Sequence, residues 1–329
     1  MMFRRLYPCG AMLTVAMLAI VASPATSPAL AQQYPSQPVK VVVGFAAGSG
    51  PDVIARAVSQ QLSTDLGQQF YVENRPGANG TIATKGVVQS PPDGYTLMYS
   101  SSSITPTPYV YKNLSYNLLS DLAPIATIGI LDGYLMLVNP SLPVKTAPEF
   151  IAYAKQNRVL YGSPGIGNAL HLVAEIFKVK TGIEMDHIPY KGASEVANSL
   201  LAGNINVMFV TPPSVIGLVK GGKLRAIGYT GHKPFPELAD VPLIRQQVPG
   251  FDVFGSWGMF FAPAKTPAAV VDKLNAAIQK ALKTPAVANI VGRAGYVPDG
   301  RTAKETADFF RKEVEDAGEA VQIARIKPI

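Results

Sequence analysis

Two glycine-rich bends carry the residues of this chain whose types and spacing suit binding chemistry. They are Gly44-Phe45-Ala46-Ala47-Gly48-Ser49-Gly50-Pro51-Asp52 and Tyr161-Gly162-Ser163-Pro164-Gly165-Ile166-Gly167-Asn168. Each follows an apolar strand pattern and opens a helical one. The first N–H groups of a helix have no partner within it, and a helix start carries about half a positive charge, so each bend is a seat for an anion. Two such seats on two lobes make a clamp for a small carboxylate. Ser49 adds a hydroxyl to the first seat, and Asp52 suits the dipole of the first helix or a donor on the solute.

Other chemistries lack their residues. His171, His187 and His232 lie 16 and 45 positions apart with no HExxH pattern, and Cys9 is the only cysteine, so no metal site is expected. No GxSxG elbow surrounds a serine. The glycines at 162, 165 and 167 reverse the dinucleotide fingerprint and no phosphate-loop GxxxxGK[ST] occurs, so no nucleotide cofactor is expected. No block of consecutive basic residues offers a nucleic-acid surface.

The elements that must position the bends follow from periodicity. Short Val- and Ile-rich runs alternate with amphipathic helical patterns, as in an α/β protein with mostly parallel strands. Positions 39–43 read as the first strand and 51–66 as the first helix; 267–282 and 303–320 read as two helices of the tail. Long apolar stretches at 122–139 and 251–263 would each cross between lobes, making one lobe discontinuous. This places lobe one at 32–130 plus 253–329 and lobe two at 131–252.

The N-terminus reads as a cleaved secretory leader, residues 1–31. Arg4 and Arg5 precede an apolar run that Pro24 and Pro28 interrupt before it reaches the roughly 20 residues of a membrane span, and small residues follow up to Ala31. Cleavage would remove Cys9 and lower the formal charge from +7 to +5, since Arg4 and Arg5 are the leader's only charged residues. The mature chain would then work in the periplasm without thiols, its stability resting on the core that 48% hydrophobic residues can build.

The chain resembles the Bug-type extracytoplasmic solute receptors of tripartite tricarboxylate transporters. The resemblance is carried by the first bend with Asp52 and Ala55-Arg56, then Glu73-Asn74-Arg75-Pro76-Gly77-Ala78-Asn79-Gly80 and Pro92-Asp93-Gly94-Tyr95-Thr96-Leu97. It continues through the second bend with His171-Leu172, Ile188-Pro189-Tyr190-Lys191-Gly192, Leu200-Leu201-Ala202-Gly203, Gly222-Lys223-Leu224-Arg225-Ala226, Asp240-Val241-Pro242 and 257–267. It implies a two-lobed periplasmic-binding fold of type II, each lobe a mostly parallel sheet flanked by helices, with two crossover strands as the hinge. It implies a monomer that closes on a carboxylated solute, performs no catalysis, and presents the solute to integral-membrane transporter subunits or a sensor ectodomain.

Carried over, Phe45, Ala46, Ala47 and Gly48 would offer backbone contacts from lobe one, and Ser163, Gly165, Gly167 and Asn168 from lobe two. The family often has glycine where Ser49 stands, threonine at Pro51, Ser or Thr at Asn168 and an acid at Asn206. Asn168 has two readings of equal weight, helix cap and ligand contact. His171, one turn into the second helix, points to the cleft or is a satisfied helix histidine. Ser101, in the hydroxyl run 100–103, and Thr211, after a strand, are further candidates, since ligands gather at the carboxyl ends of parallel strands. An exported enzyme using His171 and Ser163 is the alternative from another class.

Overall fold

Val39, Val41, Val42 and Val43 are each at most 1% exposed and form β1 (Val39–Val43), a central strand buried on both faces, which is why the run is apolar without alternation. In this computed structural model residues 34–253 and 255–329 are described, together with Met2. The leader assigned to 1–31 therefore lies outside the described residues, apart from Met2.

Following β1 come α1 (Gly50–Leu66), β2 (Phe70–Asn74), α2 (Thr81–Val88), β3 (Thr96–Ser101), α3 (Thr107–Val110), α4 (Leu118–Asp121) and β4 (Leu122–Leu131). Next are β5 (Leu135–Val138), α5 (Ala147–Ala154), β6 (Leu160–Ser163), α6 (Ala169–Thr181), β7 (Asp186–Pro189), α7 (Ala193–Leu201) and β8 (Val207–Val210). The chain ends with α8 (Ile216–Lys220), β9 (Arg225–Tyr229), α9 (Ile244–Gln247), β10 (Ser256–Pro263), α10 (Ala268–Ala281), α11 (Pro285–Arg293) and α12 (Ala303–Ile323).

Two five-stranded sheets result, ordered β2-β1-β3-β10-β4 and β7-β6-β8-β5-β9. The expected two-sheet α/β architecture is present, but each sheet is mixed rather than mostly parallel. In the first, β1 runs parallel to β2 and β3 while β10 is antiparallel to β3 and β4; in the second, β6 is parallel to β7 and β8 while β5 is antiparallel to β8 and β9. The crossings explain the difference. β4 carries the chain out of the first sheet and β10 brings it back, so β10 must run against its neighbours.

Only residues 132–134 separate β4 from β5. The Tyr134 hydroxyl donates to the Gly255 carbonyl at 2.9 Å, tying one crossing to the other. The crossings pass so closely that a Cβ on Gly255 would lie 1.6 Å from the Leu131 carbonyl oxygen, which only glycine tolerates.

In the second sheet both faces of β5 are covered. Met136 and Val138 join Phe150, Phe177 and Phe209 on one side, while Leu135 and Leu137 join Met208 and Val210 on the other, the period-two signature of a strand. In the first, Trp257, Met259 and Phe261 of β10 pack with Phe310 and Val314 of α12. Further along the same helix, Val321 and the following Ala324 enter the core of the second sheet, so α12 braces both. A capping box starts α12: Thr302 accepts from the Glu305 amide, and Glu305 accepts from the Thr302 amide.

Trp257 lies against Phe261, Phe309 and Phe310 and donates its indole N–H to Glu313 at 2.8 Å. Phe261→Ala removes a fully buried ring stacked edge-on against Phe310 with centroids 4.9 Å apart. It is expected to cost about 3–5 kcal/mol of stability, read as a lowered urea midpoint with an unchanged m-value.

Candidate functional site

β1 delivers the chain into the 44–49 loop, and α1 leaves it. Gly48 takes a left-handed φ of +78°, which lets its N–H turn back to Asp52 Oδ2 at 2.8 Å. The same oxygen accepts from Arg56 Nε at 3.0 Å, and Oδ1 accepts from Asn74 Nδ2 at 2.8 Å. Asn74 Nδ2 also donates to the Phe45 carbonyl at 3.1 Å, and Arg56 donates to Asn74 Oδ1 at 2.8 Å. Burial of Asp52 works to raise its pKa, yet the hydrogen bonds from Arg56, Asn74 and the Gly48 amide outweigh it and hold the carboxyl below its usual value. Asp52, 2% exposed, is thus the keystone of the loop, with both oxygens engaged inside it.

Loop closure leaves specific donors over. Ser49 Oγ and the Ser49 amide both donate to the Ala46 carbonyl, at 2.6 and 3.2 Å. Among the described residues no protein acceptor meets the amides of Phe45, Ala46 or Ala47, and Ala46 to Gly48 are exposed. Three consecutive N–H groups in the loop before α1, with the Arg56 charge already matched by Asp52, are an arrangement of backbone dipoles that can hold an anion.

The second loop is organised from behind. Ser163 is fully buried; its Oγ donates to the Gly165 carbonyl at 3.1 Å, accepts from the Gly165 amide at 3.3 Å, and lies 2.7 Å from His187 Nε2. The Gly167 amide donates to His171 Nδ1 at 3.1 Å, and Asn168 Oδ1 accepts from the Leu170 amide at 3.0 Å, capping α6. Of the two readings of Asn168 the structure thus displays the cap. Among the described residues the Ile166 amide has no protein acceptor.

Asn79 reaches this loop from the segment before α2. Its Nδ2 donates to the Ile166 carbonyl at 2.7 Å and to the Tyr111 hydroxyl at 3.2 Å. Ala78 and Asn79 both have left-handed backbone, φ +46° and +54°, a conformation that costs an alanine roughly 1–2 kcal/mol and is kept only where surroundings enforce it. Asn79 is not among the residues expected at the site; the asparagine between glycines was the available signal, since Asn tolerates this region. Arg75 pairs with Glu73 at 2.5 Å.

Ser101 and Thr211 close turns of their own. Ser101 Oγ accepts from the Ser103 amide at 3.4 Å, and Thr211 Oγ1 lies 2.8 Å from Ser214 Oγ. Neighbouring Ser102 Oγ is 2.9 Å from Ser256 Oγ at the start of β10. Among the described residues no group of three His, Cys, Asp or Glu side chains is arranged to hold a metal ion, and no helix is long and apolar enough to cross a membrane.

A family model described as the tripartite tricarboxylate transporter family receptor matches residues 54–325. The protein BugT of Bordetella pertussis is 32% identical over 295 residues, covering 88% of this chain and 90% of its own. Among solved structures, R. palustris Rpa4515 with adipate is 30% identical with a TM-score of 0.83, covering 90% of this chain and all of that one. The periplasmic binding protein BugD is 30% identical with a TM-score of 0.81 over the same shares. MatC from Rhodopseudomonas palustris, solved with bound malate, is 27% identical with a TM-score of 0.80, covering 88% of this chain and all of that one.

Proposed function

This chain belongs to the tripartite tricarboxylate transporter receptor family, and we propose that it captures a small carboxylate between the 44–49 and 163–168 loops. Its family role is that of a periplasmic solute receptor without catalytic function; the exported-enzyme alternative is set aside with it. The observation that carries the ligand assignment is the set of unpartnered amides at Phe45, Ala46, Ala47 and Ile166, on loops with no basic side chain of their own. Hydrogen bonds to a charged group contribute about 1.5–3 kcal/mol each, so three or four supply much of the roughly 8 kcal/mol of a micromolar complex. The carboxylates seen in the adipate and malate complexes of its relatives support the same class.

In this reading lobe one comprises 32–130 plus 253–329, lobe two comprises 131–252, and the leader 1–31 is removed on export. The monomeric receptor closes by bending at the crossings near 131 and 253, and hands its solute to membrane transporter subunits or a sensor. Phe45 to Ser49 contact the solute from one side and Ser163 to Asn168 from the other, with Asp52 and His171 acting through those loops and Ser101 and Thr211 along the cleft.

Titrating the mature protein with mono- and dicarboxylates in a calorimeter is expected to give saturable binding to at least one aliphatic acid. Silence across aliphatic, aromatic and amino-acid members overturns the assignment. Small-angle scattering at saturation is expected to show a smaller radius of gyration than the free protein; an unchanged radius contradicts closure.

A further inference from the structure

Behind the second loop lies a stack of three rings, of which the binding reading uses only His171. His171 and His187 face each other with centroids 4.1 Å apart and planes 28° from parallel, and Tyr161 lies 4.9 Å from His187 on its own strand's side. The stack joins three elements, β6, α6 and β7, and β6–β7 register places Tyr161 opposite His187. Tyr161 donates its hydroxyl to Glu175, which Lys178 neutralises at 3.1 Å, so the charged groups facing the imidazoles are one carboxylate and one ammonium already matched to each other.

The direction of the His171 hydrogen bond is determined by its partner. An amide N–H can only donate, so His171 Nδ1 must hold a lone pair toward Gly167 and the ring proton must sit on Nε2. Ser163 Oγ, which accepts from the Gly165 amide, lies 3.1 Å from the Gly165 carbonyl and 2.7 Å from His187 Nε2, so His187 holds the serine that holds Gly165. Between them the two rings hold both ends of the Gly165–Gly167 turn, whose glycines stand at φ +130° and +75°. Ile166, between those ends, is left with a free amide.

We infer that His171 and His187 act as one positioning unit, which holds the lobe-two loop so that the Gly167 amide is withdrawn and the Ile166 amide is presented to the solute. The inference rests on the receptor reading given above, and His187 enters the site only through Ser163. Burial pushes both imidazoles down, His171 to about 4 and His187 to about 3, so both are neutral at the pH where the unit must work.

The test has one arm that needs no ligand. Imidazole ¹⁵N spectra of the free protein at pH 7 are expected to show His171 as the Nε2–H tautomer; the Nδ1–H tautomer overturns the inference. In the second arm adipate and malate serve as probes. His187→Phe keeps a ring in the stack but no nitrogen, and is expected to weaken binding about tenfold, as is Ser163→Ala. Their double variant should be no weaker than either alone, and His187→Gln, with an N–H to reach Ser163, should recover most of the loss. Additive losses, or wild-type affinity in both single variants, overturn the inference. If His187→Phe fails to fold, Ser163→Ala and the tautomer decide. If neither acid binds the wild-type protein, the tautomer and the Ser163–His187 coupling measured in thermal unfolding decide the positioning role, while the receptor reading falls only on silence across the whole panel of acids.

Discussion

Gly48→Val is expected to weaken carboxylate binding at least tenfold, about 1.4 kcal/mol, with the fold intact. Steric bulk against the protein is not the cause, because a Cβ at this position would meet no protein atom within 4 Å. The cause is the backbone. At φ +78° a β-branched residue is strained by roughly 1–2 kcal/mol or more, and the loop relaxes by rotating that torsion to negative values. Rotation takes the Gly48 N–H off Asp52, releases the keystone of the loop and turns the neighbouring Ala47 amide away from its seat. Gly48→Asn separates this account from simple crowding, since asparagine tolerates the left-handed region and should retain most of the affinity. Calorimetric titration reads both variants; wild-type affinity in Gly48→Val would place the solute elsewhere.

The same local logic explains how much of the molecule was legible in the residues alone. The strand-glycine-helix design of 39–66 is local, and the run of valines, the glycine at 48 and the proline in the first turn of α1 each act on their own neighbours. The tail helices α10 and α12 were readable for the same reason, their apolar faces recurring at helical spacing, although α11, with Pro285 in its first turn, was passed over. The direction of β10 and β5 was not readable, because pairing sense depends on which strands the crossings meet, and nothing within 122–139 encodes that.

At the site, the glycines and Asp52 announced themselves by type, whereas His187 did not. It stands 24 positions from Ser163 on a separate strand, and only parallel pairing of β6 with β7 brings them to 2.7 Å. Asn79 was hidden differently: its donation to Ile166 spans 87 positions, and its strained backbone is enforced by tertiary contacts that no local pattern displays. The side chains of Asp52 and Asn168 are engaged by the loops they belong to, which for Asn168 is the cap, one of its two expected readings.

Acid is expected to destabilise the fold well before its carboxylates titrate. His171 and His187 have folded pKa values lowered to about 4 and about 3, against 6.5 unperturbed. The unfolded chain therefore binds more protons than the folded one as pH falls below about 6.5, and stability drops with it. The contribution is fully present above pH 7 and is lost progressively between about 6.5 and 4. At about 1.4 kcal/mol per pH unit of displacement, His171 alone accounts for on the order of 3 kcal/mol; half-buried His187 adds less than its displacement implies, because solvent screens it. Asp52, held low by its partners, weakens the fold only at lower pH, so it leaves this window clear. Glu313, whose carboxyl burial raises, opposes the trend, since protonating it as pH falls relieves a buried charge. A difference measurement removes that term. Urea unfolding of the wild type and of His171→Phe at pH 7.5, 6, 5 and 4.5 should give a shallower pH slope for the variant whatever its stability at neutrality. Equal slopes would mean that the imidazole of His171 is not held neutral by the fold.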